Sequence, residues 1–242
     1  MARERYLLHE EEETINKPGA EIKLTTPKSK WDNFWFYHKW HVVIGAAVVL
    51  LVAFFIRDML NQEHPDYQIG VITQNSYTDT VVEALEKKFE QVGEDLNQDG
   101  KVQVQVNVYT ISDSDKADPN VQMASVTKFT ADLTEGMSMI FLTDDQSFQK
   151  QQKANQMFAY LDGATPPKDE TDYTKMRVAL KDCKLFQKFD TEAPTVEGKD
   201  FLENFSISMR VIKGSAVEGK ADKEAYYASC KKMFDKIIKS EG

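Results

Sequence analysis

Histidine is scarce in this chain and is absent from the larger part of it. All four histidines precede residue 65: His9, His38, His41 and His64. Residues 65–242 therefore offer no imidazole base for a serine or cysteine nucleophile and no histidine ligand for zinc. Glycine-rich phosphate loops are also missing, and neighbouring carboxylates seldom converge on one substrate as an acid–base pair. We therefore expect a protein that is not an enzyme.

Cysteine is also rare, with two residues, Cys183 and Cys230. Their spacing excludes the C-x-x-C pattern of a redox motif or a zinc site. In oxidising surroundings the pair could form a disulfide. Cys230 also falls on the apolar face of a predicted helix, so two buried free thiols are an equal alternative.

Positive charge is the third shortage. The formal net charge is −9, and residues 65–242 carry 22 Lys and Arg against 30 Asp and Glu. Nucleic acids and anionic lipid surfaces attract cationic proteins. We therefore expect no nucleic-acid partner.

One uncharged apolar run, VVIGAAVVLLVAFFI at 42–56, is the most informative feature that the chain does contain. Trp31, Trp35 and Trp40 precede it, and tryptophan favours the membrane interface. A helix needs about 20 residues to span a bilayer, and the flanking residues complete that length. The run begins too far from the N-terminus for a cleaved signal peptide. We predict a transmembrane helix over 41–60, with the lipid bilayer as its partner.

Basic residues near the run predict its orientation. Four lysines lie shortly before it, whereas Arg57 is the only Lys or Arg between the run and Lys87. Cytoplasmic flanks carry the excess of Lys and Arg. We therefore predict a single-pass protein of the cell membrane, with residues 61–242 as an extracellular domain. Residues 1–40, which are polar and include a glutamate run, are predicted to be a cytoplasmic, largely disordered tail.

Residues 61–242 alternate between strand and helix patterns. Strands are predicted at 67–73, 102–108, 137–142 and 205–212, and helices at 81–92, 119–135, 146–160 and 223–239. Residues 162–200 are predicted to be irregular. For the helix at 119–135 we expect an inner face formed by Met123, Val126, Phe129 and Leu133. This order predicts an α/β fold with a mainly parallel sheet and helices on both faces, preceded by one transmembrane helix.

Three stretches of the domain carry a family resemblance: YQIGVIT at 67–73, VQMASVTKFTADLTEGMSMIFLTD at 121–144 and FSISMRVI at 205–212. They resemble the first lobe of the extracytoplasmic solute-binding proteins that serve ABC transporters. Anchor and domain together look like a group of membrane-anchored proteins of Gram-positive bacteria. The resemblance implies a single periplasmic-binding-protein-like lobe. Solute receptors of that family have two lobes, whereas this domain has room for one.

Two loops are the candidates for ligand binding. In open α/β sheets, ligands bind beyond the carboxyl ends of the strands, near the switch in strand order. The residues in question follow the first and third strands: Gln74, Asn75, Ser76 and Tyr77, then Thr143, Asp144, Asp145 and Gln146. Their side chains can bind a polar solute, and Tyr77 could stack on a sugar or another planar group. Ordinary helix capping by the same residue types is the alternative.

A second candidate site is the sequence DLNQDG at 95–100, which matches the first half of an EF-hand loop. Asp95, Asn97, Asp99 and the carbonyl of Lys101 fit the first four calcium-ligand positions. Position twelve is Val106 where a bidentate glutamate belongs. The alternatives are a weak calcium site and a polar turn that leads into the next strand.

These patterns together predict a membrane-anchored extracytoplasmic binding module. It would recognise a small polar solute or a peptide, for transport or for sensing. The alternative is a non-catalytic scaffold or subunit of a membrane protein complex, with a membrane protein as its partner.

Overall fold

The computed structural model describes residues 26–60, 65–112, 114, 118–187, 189 and 195–239. The chain divides into two compact units, Met1–Glu63 and His64–Gly242. Residues 1–25, which belong to the predicted tail, lie outside the described residues.

The described part of the first unit is the helix α1 (Pro27–Leu60), which is long and apolar enough to cross a membrane. Its large apolar side chains are exposed, including Leu50 and Phe55 at 70% each, and a helix that is apolar on all sides suits a lipid environment. The helix begins well before the predicted residue 41, so residues 27–40 are helical and not part of a disordered tail. Pro27 at the first helical position favours this early start.

The second unit is built on a five-stranded sheet in the order β2-β1-β3-β5-β4. The strands are β1 (Tyr67–Thr73), β2 (Val104–Thr110), β3 (Ser138–Asp144), β4 (Arg177–Ala179) and β5 (Phe205–Met209). β1 pairs in parallel with β2 and β3, whereas β5 pairs antiparallel with both β3 and β4. Four strands therefore share one direction, and the sheet is mixed, with β5 reversed.

Within the described residues, the helices with defined bounds beside the sheet are α2 (Asp79–Glu90), α3 (Pro119–Glu135), α4 (Asp145–Asn155), α5 (Val196–Asn204) and α6 (Ala221–Lys239). The Asp118 side chain caps α3 by accepting from the Asn120 N–H, and Gly136 ends that helix with a positive φ of 63°, which glycine adopts without strain. The segment predicted to be irregular, 162–200, contains β4, the start of α5 and short 3₁₀ turns.

Two apolar cores lie on opposite faces of the sheet, as the alternation of strand residues requires. Ile69 of β1, Leu85 of α2 and Phe234 of α6 belong to one core, and Phe129 of α3 and Phe148 of α4 belong to the other. This arrangement confirms the α/β fold with helices on both faces.

Close packing within the sheet depends on a glycine in strand β1. A Cβ added to Gly70 would lie 2.3 Å from Cε1 of Phe141 on the neighbouring strand. The fully buried phenylalanine ring therefore occupies the space that any larger residue at position 70 would need.

The predicted inner face of α3 is only partly correct. Phe129 is buried, and Leu133 packs against the same core, but Met123 is 73% exposed and Val126 is 45% exposed. The side chain of Gln122 exchanges two hydrogen bonds with the backbone of Ser112. The first half of the helix is therefore held by this polar contact, which leaves its apolar residues outside.

Cys183 and Cys230 are free thiols buried in the same core. Of the two alternatives from the sequence, the structure therefore has the pair of buried free thiols and not the disulfide. Burial raises the pKa of Cys183 to about 11 and that of Cys230 to about 12. Both thiols are consequently protonated at neutral pH and make poor nucleophiles.

Candidate functional site: a crevice at the switch in strand order

A crevice opens at the carboxyl ends of β1 and β3. The chain leaves β1 toward β2 on one side and later returns to β3 on the other, so the order of strands switches between β1 and β3. Ligands of open α/β sheets bind at this position. The cavity measures about 300 Å³ and is lined by Gln74, Asn75, Tyr77, Asp144, Asp145, Gln146, Asp200, Asn204 and Phe205. Its volume is at the lower end of the usual range for ligand pockets.

Asp144 joins the two predicted loops. Its Oδ2 accepts from the backbone N–H of Gln74 at 3.1 Å, and its Oδ1 accepts from the backbone N–H of Ser147 at 2.7 Å. The second bond caps α4, as the capping alternative proposed. The carboxylate is therefore a structural tie that holds the loop after β1 against the loop after β3.

Tyr77 connects the crevice to α5. Its hydroxyl donates to Oδ2 of Asp200 at 2.9 Å, and its ring lies perpendicular to the rings of Phe201 and Phe205. Burial raises the pKa of Tyr77 well above its usual value, and the hydrogen bond to Asp200 raises it further. Tyr77 is therefore a neutral donor that holds Asp200 in place, and its ring packs against the protein.

The charge of the crevice is mainly negative. Asp144, Asp145 and Asp200 contribute three carboxylates, and Asp145 pairs with Nη2 of Arg177 at 2.6 Å. Within the part of the chain that the structure describes, neither Asp144 nor Asp200 has an ion pair with a basic side chain. The crevice therefore favours neutral or cationic groups.

Sequence reasoning missed the contribution of α5. Asp200 and Asn204 lie four residues apart, on one face of that helix, and Nδ2 of Asn204 donates to Oδ1 of Asp200 at 2.7 Å. The signal for this helix was Thr195, whose side chain caps it by accepting from the N–H of Gly198.

Two predicted site residues lie elsewhere. Ser76 lines a neighbouring cavity of about 410 Å³ that shares Gln74 and Asn75 with the crevice and extends toward Ser112 and Gln122. Thr143 is fully buried within β3 and does not line the crevice. Strand β3 continues through Thr143 to Asp144, so Thr143 belongs to the sheet and not to a loop.

The side-chain oxygens of the 95–101 loop bind its own backbone. Asp95 accepts from the N–H groups of Gln98 and Gly100, and Asp99 accepts from that of Lys101. Asn97 likewise accepts from the N–H of Asp99. Among the residues with described positions, no three His, Cys, Asp or Glu side chains group to hold a metal ion. Calcium binding therefore stays a prediction from the sequence.

No protein-family model, curated protein or solved structure matches this chain. Its own geometry defines it as an α/β domain with an open mixed sheet and a polar crevice at the switch in strand order. The chain also has an N-terminal helix that could cross a membrane.

Proposed function

We propose that this protein is a non-catalytic binding module of the cell membrane. The N-terminus is cytoplasmic, α1 spans the bilayer once, and the extracellular domain, which resembles one lobe of a solute-binding protein of Gram-positive bacteria, recognises a small polar solute or a peptide. Binding serves transport or sensing. The observation that carries the proposal is the meeting of Gln74, Asn75 and Asp145 in one crevice, at the position where α/β sheets bind ligands.

The electrostatics of the crevice narrow the class of ligand. Three carboxylates and one paired guanidinium favour a solute that carries an amine or is neutral. Amide groups from Asn75 and Asn204 add hydrogen-bond donors and acceptors. Amino sugars, polyamines and lysine-containing peptides fit this description, and the crevice disfavours dicarboxylates.

The test is thermal unfolding of the full-length protein in detergent, against pools of amines, sugars, short peptides and dicarboxylates. A ligand present at about 100 times its dissociation constant adds roughly 2.7 kcal/mol, which raises Tm by about 5–10 °C in a domain of this size. We expect Asn204→Ala to reduce this rise and Lys232→Ala, an exposed change on α6, to leave it intact. A flat result with every pool would refute the proposal.

A scaffold function is the second candidate, and the exposed face of α3 favours it. Met123 and Val126, three residues apart on one side of the helix, are 73% and 45% exposed, and clustered apolar exposure marks interaction surfaces. A photo-crosslinking amino acid at position 123 should then recover one membrane protein repeatedly, whereas the same group at Lys128 should not. Recovery of abundant background proteins alone would remove this support.

A further inference from the structure

A larger cavity adjoins the crevice on the other side of β1. It measures about 410 Å³ and lies where β1 and β2 end, at Thr73 and Thr110, which are paired in register. The crevice and the larger cavity share Gln74 and Asn75 in their linings. The two spaces are therefore neighbours along the carboxyl edge of the sheet, and a ligand in one can extend past Asn75 into the other.

Polar side chains with available hydrogen-bonding groups line the larger cavity. Asn75 and Ser76 are exposed, and Thr110 is half-buried. Among the described residues, none forms a hydrogen bond with the amide of Asn75 or with the hydroxyl groups of Ser76 and Thr110. A hydroxyl group both donates and accepts, and an amide offers an acceptor and two donors. These three side chains can therefore bind a ligand without giving up a bond to the protein.

Hydrogen bonds hold the lining in place. The side chain of Gln122 exchanges two hydrogen bonds with the backbone of Ser112, which fixes the start of α3 against the end of β2. On the β1 side, the backbone N–H of Asn75 donates to Oγ1 of Thr73 at 3.1 Å. The lining is therefore organised before a ligand arrives, which lowers the entropic cost of binding.

The larger cavity is less acidic than the crevice. Its described lining contains no lysine or arginine and one carboxylate, Asp118, whose Oδ1 already caps α3. The crevice has three carboxylates, so an ammonium group is attracted more strongly there. Val121 is the only apolar side chain in the described lining of the larger cavity. An uncharged group that is rich in hydroxyls therefore fits this cavity better than a cation or an apolar group.

We propose that the larger cavity is a subsite for an uncharged sugar ring, and that the ligand is a disaccharide containing an amino sugar. The amine lies in the crevice near Asp200. The second ring lies in the larger cavity, where Asn75, Ser76 and Thr110 bind its hydroxyl groups. The cavity volume falls within the usual range for ligand pockets. This inference rests on the function proposed for the crevice and narrows its ligand from amines in general to one class.

The test is isothermal titration calorimetry of the full-length protein in a polyoxyethylene detergent, which has no sugar headgroup. The probes are glucosamine, lactosamine, in which a galactose ring is attached to glucosamine, and the peptide lysylserinamide. We expect lactosamine to bind about ten-fold more tightly than glucosamine, which corresponds to one or two added hydrogen bonds. Lysylserinamide should bind more weakly than lactosamine.

Two substitutions test the contacts of the second ring. Thr110→Val removes a hydroxyl and keeps the branched shape, and Ser76→Ala removes a hydroxyl from an exposed position. Each should weaken lactosamine binding by about five-fold, the effect of one hydrogen bond, and leave glucosamine binding unchanged. Thr134→Val, a matched loss of an exposed hydroxyl near the end of α3, should change neither affinity. If Thr110→Val fails to fold, Ser76→Ala still decides the question.

The outcomes separate this inference from the function of the crevice. Equal affinities for glucosamine and lactosamine would overturn the sugar subsite and leave the crevice as an amine site. A gain for lactosamine that survives both substitutions would also overturn it, because the second ring would then be bound elsewhere. Binding of lysylserinamide and of neither sugar would overturn the sugar assignment and keep the binding function. If no probe binds, the sugar assignment is wrong, and the pools of amines and peptides judge the crevice by themselves.

Discussion

Asp144 and Asp145 are neighbours in sequence with very different structural roles, and alanine at each position separates those roles. Asp144 accepts from the N–H groups of Gln74 and Ser147 and from the Ser147 hydroxyl. Losing a helix cap costs about 1 kcal/mol, and losing a hydrogen bond to a charged group costs about 1.5–3 kcal/mol. We therefore expect Asp144→Ala to lower the free energy of unfolding by about 3 kcal/mol.

Asp145→Ala is the matched control. Its side chain is 63% exposed and accepts from Nη2 of Arg177 and from Nε2 of Gln149, which is also at the surface. Exposed ion pairs contribute about 0.2–1 kcal/mol. We therefore expect a loss below about 1 kcal/mol, even though the two carboxylates are adjacent and line the same crevice.

Thermal unfolding followed by tyrosine near-ultraviolet circular dichroism measures both variants. Tryptophan fluorescence would not report on the domain, because Trp31, Trp35 and Trp40 all lie on α1. A loss of about 3 kcal/mol lowers Tm by about 6–12 °C in a domain of this size. Equal losses for the two variants, or a larger loss for Asp145→Ala, would refute the structural role assigned to Asp144.

Three further outcomes follow from the packing, the thiols and the predicted orientation. Gly70→Ala should destabilise the domain by about 1–3 kcal/mol through overpacking against Phe141. In a double-mutant cycle measured by urea unfolding, Phe141→Leu should relieve part of that cost. Strictly additive costs of the two substitutions would contradict the clash. Stability should fall as pH rises above about 9, because unfolded thiols ionise there while folded Cys183 and Cys230 keep their protons until about 11 and 12. The double alanine variant should lose less stability between pH 9 and 11 in urea titrations, and an unchanged loss would assign the effect to other groups. Since both native thiols are buried, an impermeant maleimide on intact cells should label Lys220→Cys and not Ser29→Cys, and the reverse pattern would invert the predicted topology.

Local sequence patterns predicted most elements of the domain because burial leaves a local signature. The strands β1 and β3 are nearly continuous apolar runs, buried on both faces, and α6 repeats its apolar residues at helical spacing. The direction of β5 has no such signature. Alternation in FSISM is identical for a parallel and an antiparallel strand, and only the path of the preceding chain decides between them.

The candidate site was predictable in part for the same reason. The sequence predicted that the residues after β1 and β3 lie close together, because neighbouring parallel strands end at the same edge of the sheet. Asp200 and Asn204 belong to a polar segment whose hydrophobic pattern is weak. Their position at the crevice depends on the tertiary packing of Phe201 and Phe205. The exposed position of Met123 likewise depends on the contact between Gln122 and Ser112, which no periodicity encodes.

The reversed strand β5 also links the two ends of the domain mechanically. Its first residue, Phe205, lines the crevice, and Arg210, directly after its last residue, donates its backbone N–H to the carbonyl of Met139 near the start of β3. At about 3.4 Å per residue, the two positions are about 17 Å apart along one extended segment. Extended backbone is stiff along its own axis, so an axial displacement of Phe205 by a ligand would carry Arg210 with it. The backbone hydrogen bonds between β3 and β5 then determine how much of that displacement reaches Arg210.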